Sequence, residues 1–173
     1  MEREKKGSRR LVILLLLLIL LLIGLAVWLL WGRKDQFNDD DFYDPSAVTG
    51  ILPGMTEAEI QEELNRVVEE GMLNISIASD ISFEDGKAKG KVNIYNTEAN
   101  HYIFKVAITL DDSGETVYES GGIRPGQYIE YIKLADSLEA GEYPATATFT
   151  AYTQDTLQIA GSAAAQVTLY VKK

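Results

Sequence analysis

Chemistry in a protein needs nucleophiles, general bases or metal ligands, and this chain holds few of the usual ones. His101 is its single histidine and there is no cysteine. That excludes the commonest zinc-site compositions, which draw on both residue types. No Ser, His and Asp grouping can be traced around His101, which opens a strand pattern beside a polar loop and reads as a surface residue. Carboxylates are plentiful, with 26 Asp and Glu, so a close pair has little diagnostic value. Asp111 and Asp112 read as turn formers, because Asp side chains bond their own backbone in turns. Asp39, Asp40 and Asp41 lack the spacing of an EF-hand and read as a solvated, self-repelling spacer. No glycine-rich phosphate loop is present. The expectation is a non-enzyme with no catalytic residue, no metal and no cofactor.

Tyrosine is the more informative residue type. Tyr95, Tyr152 and Tyr170 fall on the outer faces of expected strands, with Tyr128 or Tyr131 joining them or the core. Outer-face aromatics can stack on sugars or anchor a protein interface. Tyr95, Tyr128, Tyr152 and Tyr170 are therefore the candidate partner contacts. The plainer explanation is the ordinary preference of Tyr for strands.

The element that places everything else is the stretch from Leu11 to Trp31, 21 residues without a charge. At about 1.5 Å per residue a helix of that length spans roughly 31 Å, the thickness of a bilayer core. Arg3, Lys5, Lys6, Arg9 and Arg10 precede it, and only Arg33 and Lys34 follow before a run of acids. That bias predicts a cytoplasmic N-terminus and an exterior C-terminal part. The competing reading is a signal peptide cut near Ala26, at Gly24-Leu25-Ala26. Against it, the apolar run continues from Val27 to Trp31, and Trp28 and Trp31 suit the outer interface of a retained span. The expected parts are a cytoplasmic tail (1–10), a transmembrane helix (11–31), an acidic tether (32–54), an amphipathic helix (55–71) and a β domain (72–173).

Charge divides along the same line. Residues 1–34 carry 7 Lys and Arg against 2 Asp and Glu, or +5. Residues 35–173 carry 9 against 24, or −15. Nucleic acid is therefore not an expected partner of the exterior part.

In the tether, Pro45, Gly50, Pro53 and Gly54 join the acids in denying a packed core. Thr56 to Glu59 then fits a capping box, and Ile60, Leu64, Val67 and Val68 share one helical stripe. That stripe must dock, on the following domain or on a partner. From Met72 the apolar period becomes two. Seven strands are expected, with turn signals at Asp85-Gly86, Asp111 to Gly114 and Gln154-Asp155. The clearest has Tyr102, Phe104, Val106, Ile108 and Leu110 on one face. Ala145, Ala147, Phe149 and Ala151 line another, and Val167, Leu169 and Val171 end the last. The pattern predicts a mainly β fold, an antiparallel β-sandwich.

Leu138, Gly141 and Tyr143 have the L-x-x-G-x-Y spacing that resembles the tyrosine corner of immunoglobulin-like and fibronectin type III domains. With Ile123 to Gln127, this makes residues 72–173 similar to the Ig-like sandwiches on Gram-positive surface proteins and to the domain of BsuPI-type proteinase inhibitors. The layout resembles single-pass membrane-anchored proteins of such bacteria. The resemblance implies an Ig-like fold and a structural Tyr143. It carries no inhibitory loop.

The functional expectation is a non-catalytic protein- or glycan-binding module, held at the cell envelope with the bilayer contacted through residues 11–31. The alternatives are an accessory subunit of an envelope assembly, such as secretion, conjugation or pilus machinery, and an exported protease inhibitor.

Overall fold

The computed structural model describes residues 17–21, 39–65 and 72–173, and divides the chain into two units, Met1–Asn38 and Asp39–Lys173. In the first unit, residues 17–21 are helical and exposed. The rest of the stretch 11–31 lies outside the described residues, as do residues 66–71 with the end of the expected 55–71 helix. Among the described residues no helix is long and apolar enough to cross a membrane.

The second unit is mainly β, with two sheets. Its strands are β1 (Val48–Thr49), β2 (Asp80–Phe83), β3 (Lys89–Asn96), β4 (Ile103–Leu110), β5 (Thr116–Glu119), β6 (Gln127–Lys133), β7 (Gly141–Tyr152) and β8 (Ile159–Val171). One sheet has the order β1-β6-β3 and the other β2-β8-β7-β4-β5. Two short helices precede β2: α1 (Asp39–Phe42) and α2 (Glu57–Asn65).

Alternation drives the packing. In β7, Ala145, Ala147, Phe149 and Ala151 point inward, as do Val167, Leu169 and Val171 of β8, while the threonines between the β7 positions stay half-exposed. Phe104, Val106, Ile108 and Leu110 of β4 join them, and Val92, Ile94, Ile129 and Ile132 face them from the other sheet. Small alanines on β7 leave room for Phe104 and Phe149, which meet edge to face at 5.9 Å. Burying such side chains contributes about 1.5–3 kcal/mol each. The result is a β-sandwich-like fold.

Three expectations are corrected. First, the sandwich is not wholly antiparallel, because β2 runs parallel to the end of β8, with Ile81 beside Leu169 and Phe83 beside Val171. Second, the strand expected across 72–78 is an irregular segment with one bridge, Ser76 to Tyr95, and the regular strand comes later. Ile81 and Phe83 are fully buried, whereas Leu73, Ile75 and Ile77 are only half-buried, so the stronger burial sits at 80–83. Third, part of the expected tether is folded. Phe42 is 4 % exposed and Val48–Thr49 pairs with β6.

The reason for the third correction is a strap across the β5–β6 connection. Asp44 N–H donates to the Gly122 carbonyl at 3.0 Å, and Gly122 N–H donates to the Phe42 carbonyl at 2.6 Å. The Asp44 carboxylate accepts from Gly121 N–H at 2.8 Å and from Ser46 N–H at 2.8 Å. The Phe42 ring stands edge-on to Tyr152 at 5.3 Å, and the Lys105 ammonium lies 4.0 Å from its centroid. The Arg124 guanidinium lies 3.3 Å from the centre of the Tyr43 ring. Such cation–π contacts contribute about 0.5–2 kcal/mol. Ile103, on the outer side of β4, is 1 % exposed beside this strap.

Helix α2 starts as its sequence dictates. Glu59 N–H donates to the Thr56 hydroxyl at 3.3 Å, and Thr56 N–H donates back to the Glu59 carboxylate at 2.7 Å. The Thr56 N–H first, then the Thr56 hydroxyl, which donates to the same carboxylate at 2.7 Å, hold the Glu59 carboxyl below its usual range.

At the start of β7 the Tyr143 hydroxyl donates to the Glu139 carbonyl at 3.0 Å, and Leu138 packs against the core. A Cβ on Gly141 would lie 3.2 Å from the Tyr143 ring. Tyr143→Phe should lower the unfolding free energy by about 1 kcal/mol, the net value of one hydrogen bond. Chemical denaturation checks this, with an unchanged slope showing that the fold is retained.

Candidate binding site

The four candidate tyrosines do not form one site. Tyr95 and Tyr128 are paired across β3 and β6 in one sheet, while Tyr152 and Tyr170 belong to the other. Tyr152 ends β7, and Tyr170 sits opposite Glu142 near its start. At about 3.3 Å per residue those two ends lie roughly 33 Å apart. Tyr152 is engaged by Phe42 of the strap. Tyr170 is half-buried on the outer face, and desolvation, then the Glu142 and Asp80 carboxylates, push its hydroxyl pKa up. Tyr128 is half-buried opposite Val48, and Tyr131 is 47 % exposed. His101 is exposed just before β4, where the Gln154 side-chain amide donates to its carbonyl at 3.0 Å.

Tyr95 is 5 % exposed, against the outer-face expectation. Side chains of α2 and of the segment leading into it stand around Tyr95 and, with the 97–100 loop, leave a cleft of about 260 Å³. Ile51, Met55, Ile60 and Leu64 form its apolar wall, and Glu63, Tyr95 and Glu98 supply the polar groups. Burial first, then the charges of Glu63 and Glu98, push the Tyr95 hydroxyl up. The hydroxyl thus stays protonated, a donor and acceptor in an apolar, negatively charged recess. Ile51 is 46 % exposed and Leu64 64 %.

The far wall is the β3–β4 loop, 97–100, and a buried amide network holds it. Asn96 is fully buried, and its side-chain N–H groups donate to the carbonyls of Tyr102 at 2.9 Å and Ile123 at 2.8 Å. Its side-chain oxygen accepts from Asn100 at 2.8 Å. Asn100 also donates to the Asn74 carbonyl at 2.8 Å and accepts from Asn74 N–H at 3.0 Å. The loop is thereby tied to β4, to the β5–β6 connection and to the segment before β2. Gly126 closes the corner with φ 75°, donating to the Asn96 carbonyl at 2.8 Å and accepting from Gly50 N–H at 2.9 Å. A fixed loop presents Glu98 and Ala99 at a fixed place.

Sequence reading finds the α2 stripe residues Ile60 and Leu64 but misses the cleft. It takes 96–100 for a polar loop and Ile51 for part of the 32–54 tether. Nothing in the local pattern marks Asn96 as buried, since its surroundings come from residues 6 and 27 positions away. Among the described residues, no group of three or more His, Cys, Asp or Glu side chains converges as a metal site.

The fold and cleft define a β-sandwich-like domain with a preformed recess. No family model, curated protein or solved structure matches the chain.

Proposed function

We propose that this protein is a membrane-anchored, non-catalytic binding module at the cell envelope. Its Ig-like sandwich takes a basic, apolar segment of another envelope protein in the α2 cleft. The observation that carries the reading is the recess between α2 and Tyr95. It joins four apolar side chains to two carboxylates at one place. An apolar side chain fills it and an adjacent Lys or Arg meets the Glu98 carboxylate at its rim, a charge that a neutral glycan does not complement. A second reading, the accessory subunit of an envelope assembly, uses the same cleft and differs only in the permanence of the partner.

The Ig-like assignment draws on three features. The strand order β4-β7-β8 follows the C-F-G order of such domains, β3 and β6 pair as B and E do, and the Tyr143 bond has the geometry of a tyrosine corner. The anchoring draws on the uncharged stretch 11–31, and the exterior placement on the Lys and Arg before it. With the strap folded onto the sandwich, seven residues, 32–38, join it to that stretch.

Titration of the full chain in lipid nanodiscs with peptides that pair Leu or Ile with Lys or Arg tests this. Binding should weaken as salt rises, and Glu98→Gln should weaken it about tenfold, the size of one charge-assisted contact. Equal binding of peptides with Glu in place of Lys would overturn the reading.

A further inference from the structure

A strand at the edge of a sheet exposes a row of main-chain donors and acceptors, and proteins blunt such edges with short length, charge, proline, bulges or cover. This sandwich does so at every described edge but one. Strand β5 is four residues long, flanked by Glu115 and closed by Glu119, with an irregular register at Ile108/Thr109. Strand β1 is two residues. Strand β2 is four residues, opened by Asp80 and followed by Glu84. On the outer side of β3, Tyr95 N–H donates to Ser76 and Val92 accepts from Ala78 N–H at 2.8 Å. That strand also carries Lys89, Lys91 and a bulge around Asn93, φ 52°.

Strand β8 is the exception. It is 13 residues long, and β2 covers only Thr168 to Val171. On that side residues 159–167 have no partner strand among the described residues. Thr168 N–H donates to the Ser79 carbonyl at 2.7 Å, so Thr168 turns its main-chain groups away from β7. By the two-residue repeat, Gln166, Ala164 and Ser162 do the same. All three side chains are exposed and none is charged. Thr156 to Val171 is the longest uncharged run beyond residue 34, in a part of the chain carrying −15.

We propose that this edge pairs with a second copy of the chain, β8 against β8, antiparallel and two-fold symmetric about Ala164. The charge distribution selects this occupant. Two bodies this acidic repel, and the stretch without carboxylates is where their backbones can approach. The length of the opening selects the register. Centred on Ala164, the pairing sets Ser162 opposite Gln166 of the second copy and stops where β2 of each copy begins. The six main-chain groups of Ser162, Ala164 and Gln166 on each copy then satisfy one another in six hydrogen bonds. The two β8-containing sheets become one continuous sheet through an isologous contact.

The absence of cysteine makes the test specific. Directly opposed residues in a hydrogen-bonded antiparallel pair have Cα atoms about 5.5 Å apart, within disulfide range. Ala164→Cys in the full chain in nanodiscs should give a covalent dimer on mild oxidation. Thr148→Cys, inside the same sheet, should give none. Ala164→Lys, which sets two like charges on the symmetry axis, should weaken dimerisation at least tenfold in sedimentation while the melting temperature of the domain holds. Absence of a dimer in the wild-type chain would overturn the proposal. So would a dimer that survives Ala164→Lys, since it belongs to another surface such as the apolar stretch, or equal cross-linking at positions 148 and 164.

Discussion

Replacing Asn96 by alanine lowers the unfolding free energy by about 3–5 kcal/mol and loosens the cleft. The side chain is fully buried and makes three hydrogen bonds, two as donor and one as acceptor. Its removal takes the side-chain donor from the Tyr102 carbonyl, one of two donors from the Ile123 carbonyl, which still accepts from Phe104 N–H at 3.0 Å, and one acceptor from the Asn100 amide. A buried polar group without a partner costs about 1–3 kcal/mol, and a cavity the size of the lost amide adds to that. Denaturant melts measure the total. The local part is read from hydrogen exchange at Asn74 N–H and Gly126 N–H, which depend on Asn100 and on the Asn96 carbonyl. Both should exchange faster in Asn96→Ala than the loss of global stability alone gives. Asn96→Asp should be nearly as damaging, because a carboxylate cannot donate to the two carbonyls and its charge would be buried. A variant that melts within about 1 kcal/mol of wild type would mean that water replaces the amide, and that the loop is not held in this way.

The second large effect is expected at Gly121. A Cβ there would stand 2.5 Å from the Asp44 nitrogen and 2.6 Å from its Cα, both backbone atoms that cannot swing aside. Gly121→Ala should therefore peel residues 42–46 from the sandwich. The loss includes the buried Phe42 ring and the bonds of Asp44 to Gly121 and Gly122, about 3–5 kcal/mol together. Phe42 lies outside the main core cluster, so the sandwich itself should stay folded. The expected signature is new protease cleavage between residues 39 and 50, with the melt of the sheets shifted by a smaller amount. Burial first, then the Asp44 carboxylate, push the Tyr118 hydroxyl far above its ordinary value. Release of the strap should bring it back toward the range of a free tyrosine, which ultraviolet titration follows. Cleavage no faster than in the wild-type chain would show that the strap tolerates the added methyl.

Both effects fall on residues whose roles are set by distant neighbours. The alternating pattern of β4, β7 and β8 is a local property, since a strand with one apolar face must turn that face inward whatever it packs on. Strand content, the inward positions from Phe104 to Leu110 and from Ala145 to Ala151, and the Thr56–Glu59 cap are legible for this reason. Tyr143 is legible because its acceptor lies four residues away.

The cleft is not legible in that way. Asn96 looks like any loop asparagine, and Tyr95 like any outward strand residue, until α2 joins Tyr95 in lining the cleft and carbonyls of Tyr102 and of the β5–β6 connection meet Asn96. Phe42 sits among acids in what reads as a spacer, and only a pair of glycines some 80 positions away lets it dock. The parallel seating of β2 on β8 escapes as well, because periodicity gives the face of a strand and not the direction of its neighbour. The amino-acid order alone determines the uncharged stretch 11–31, the acidity beyond it, the strands and the capped helix, since each is a matter of nearest neighbours along the chain. Which residues form the recess, which segment straps the sandwich and which edge stays open depends on contacts between residues far apart in the chain, and only the tertiary structure decides those.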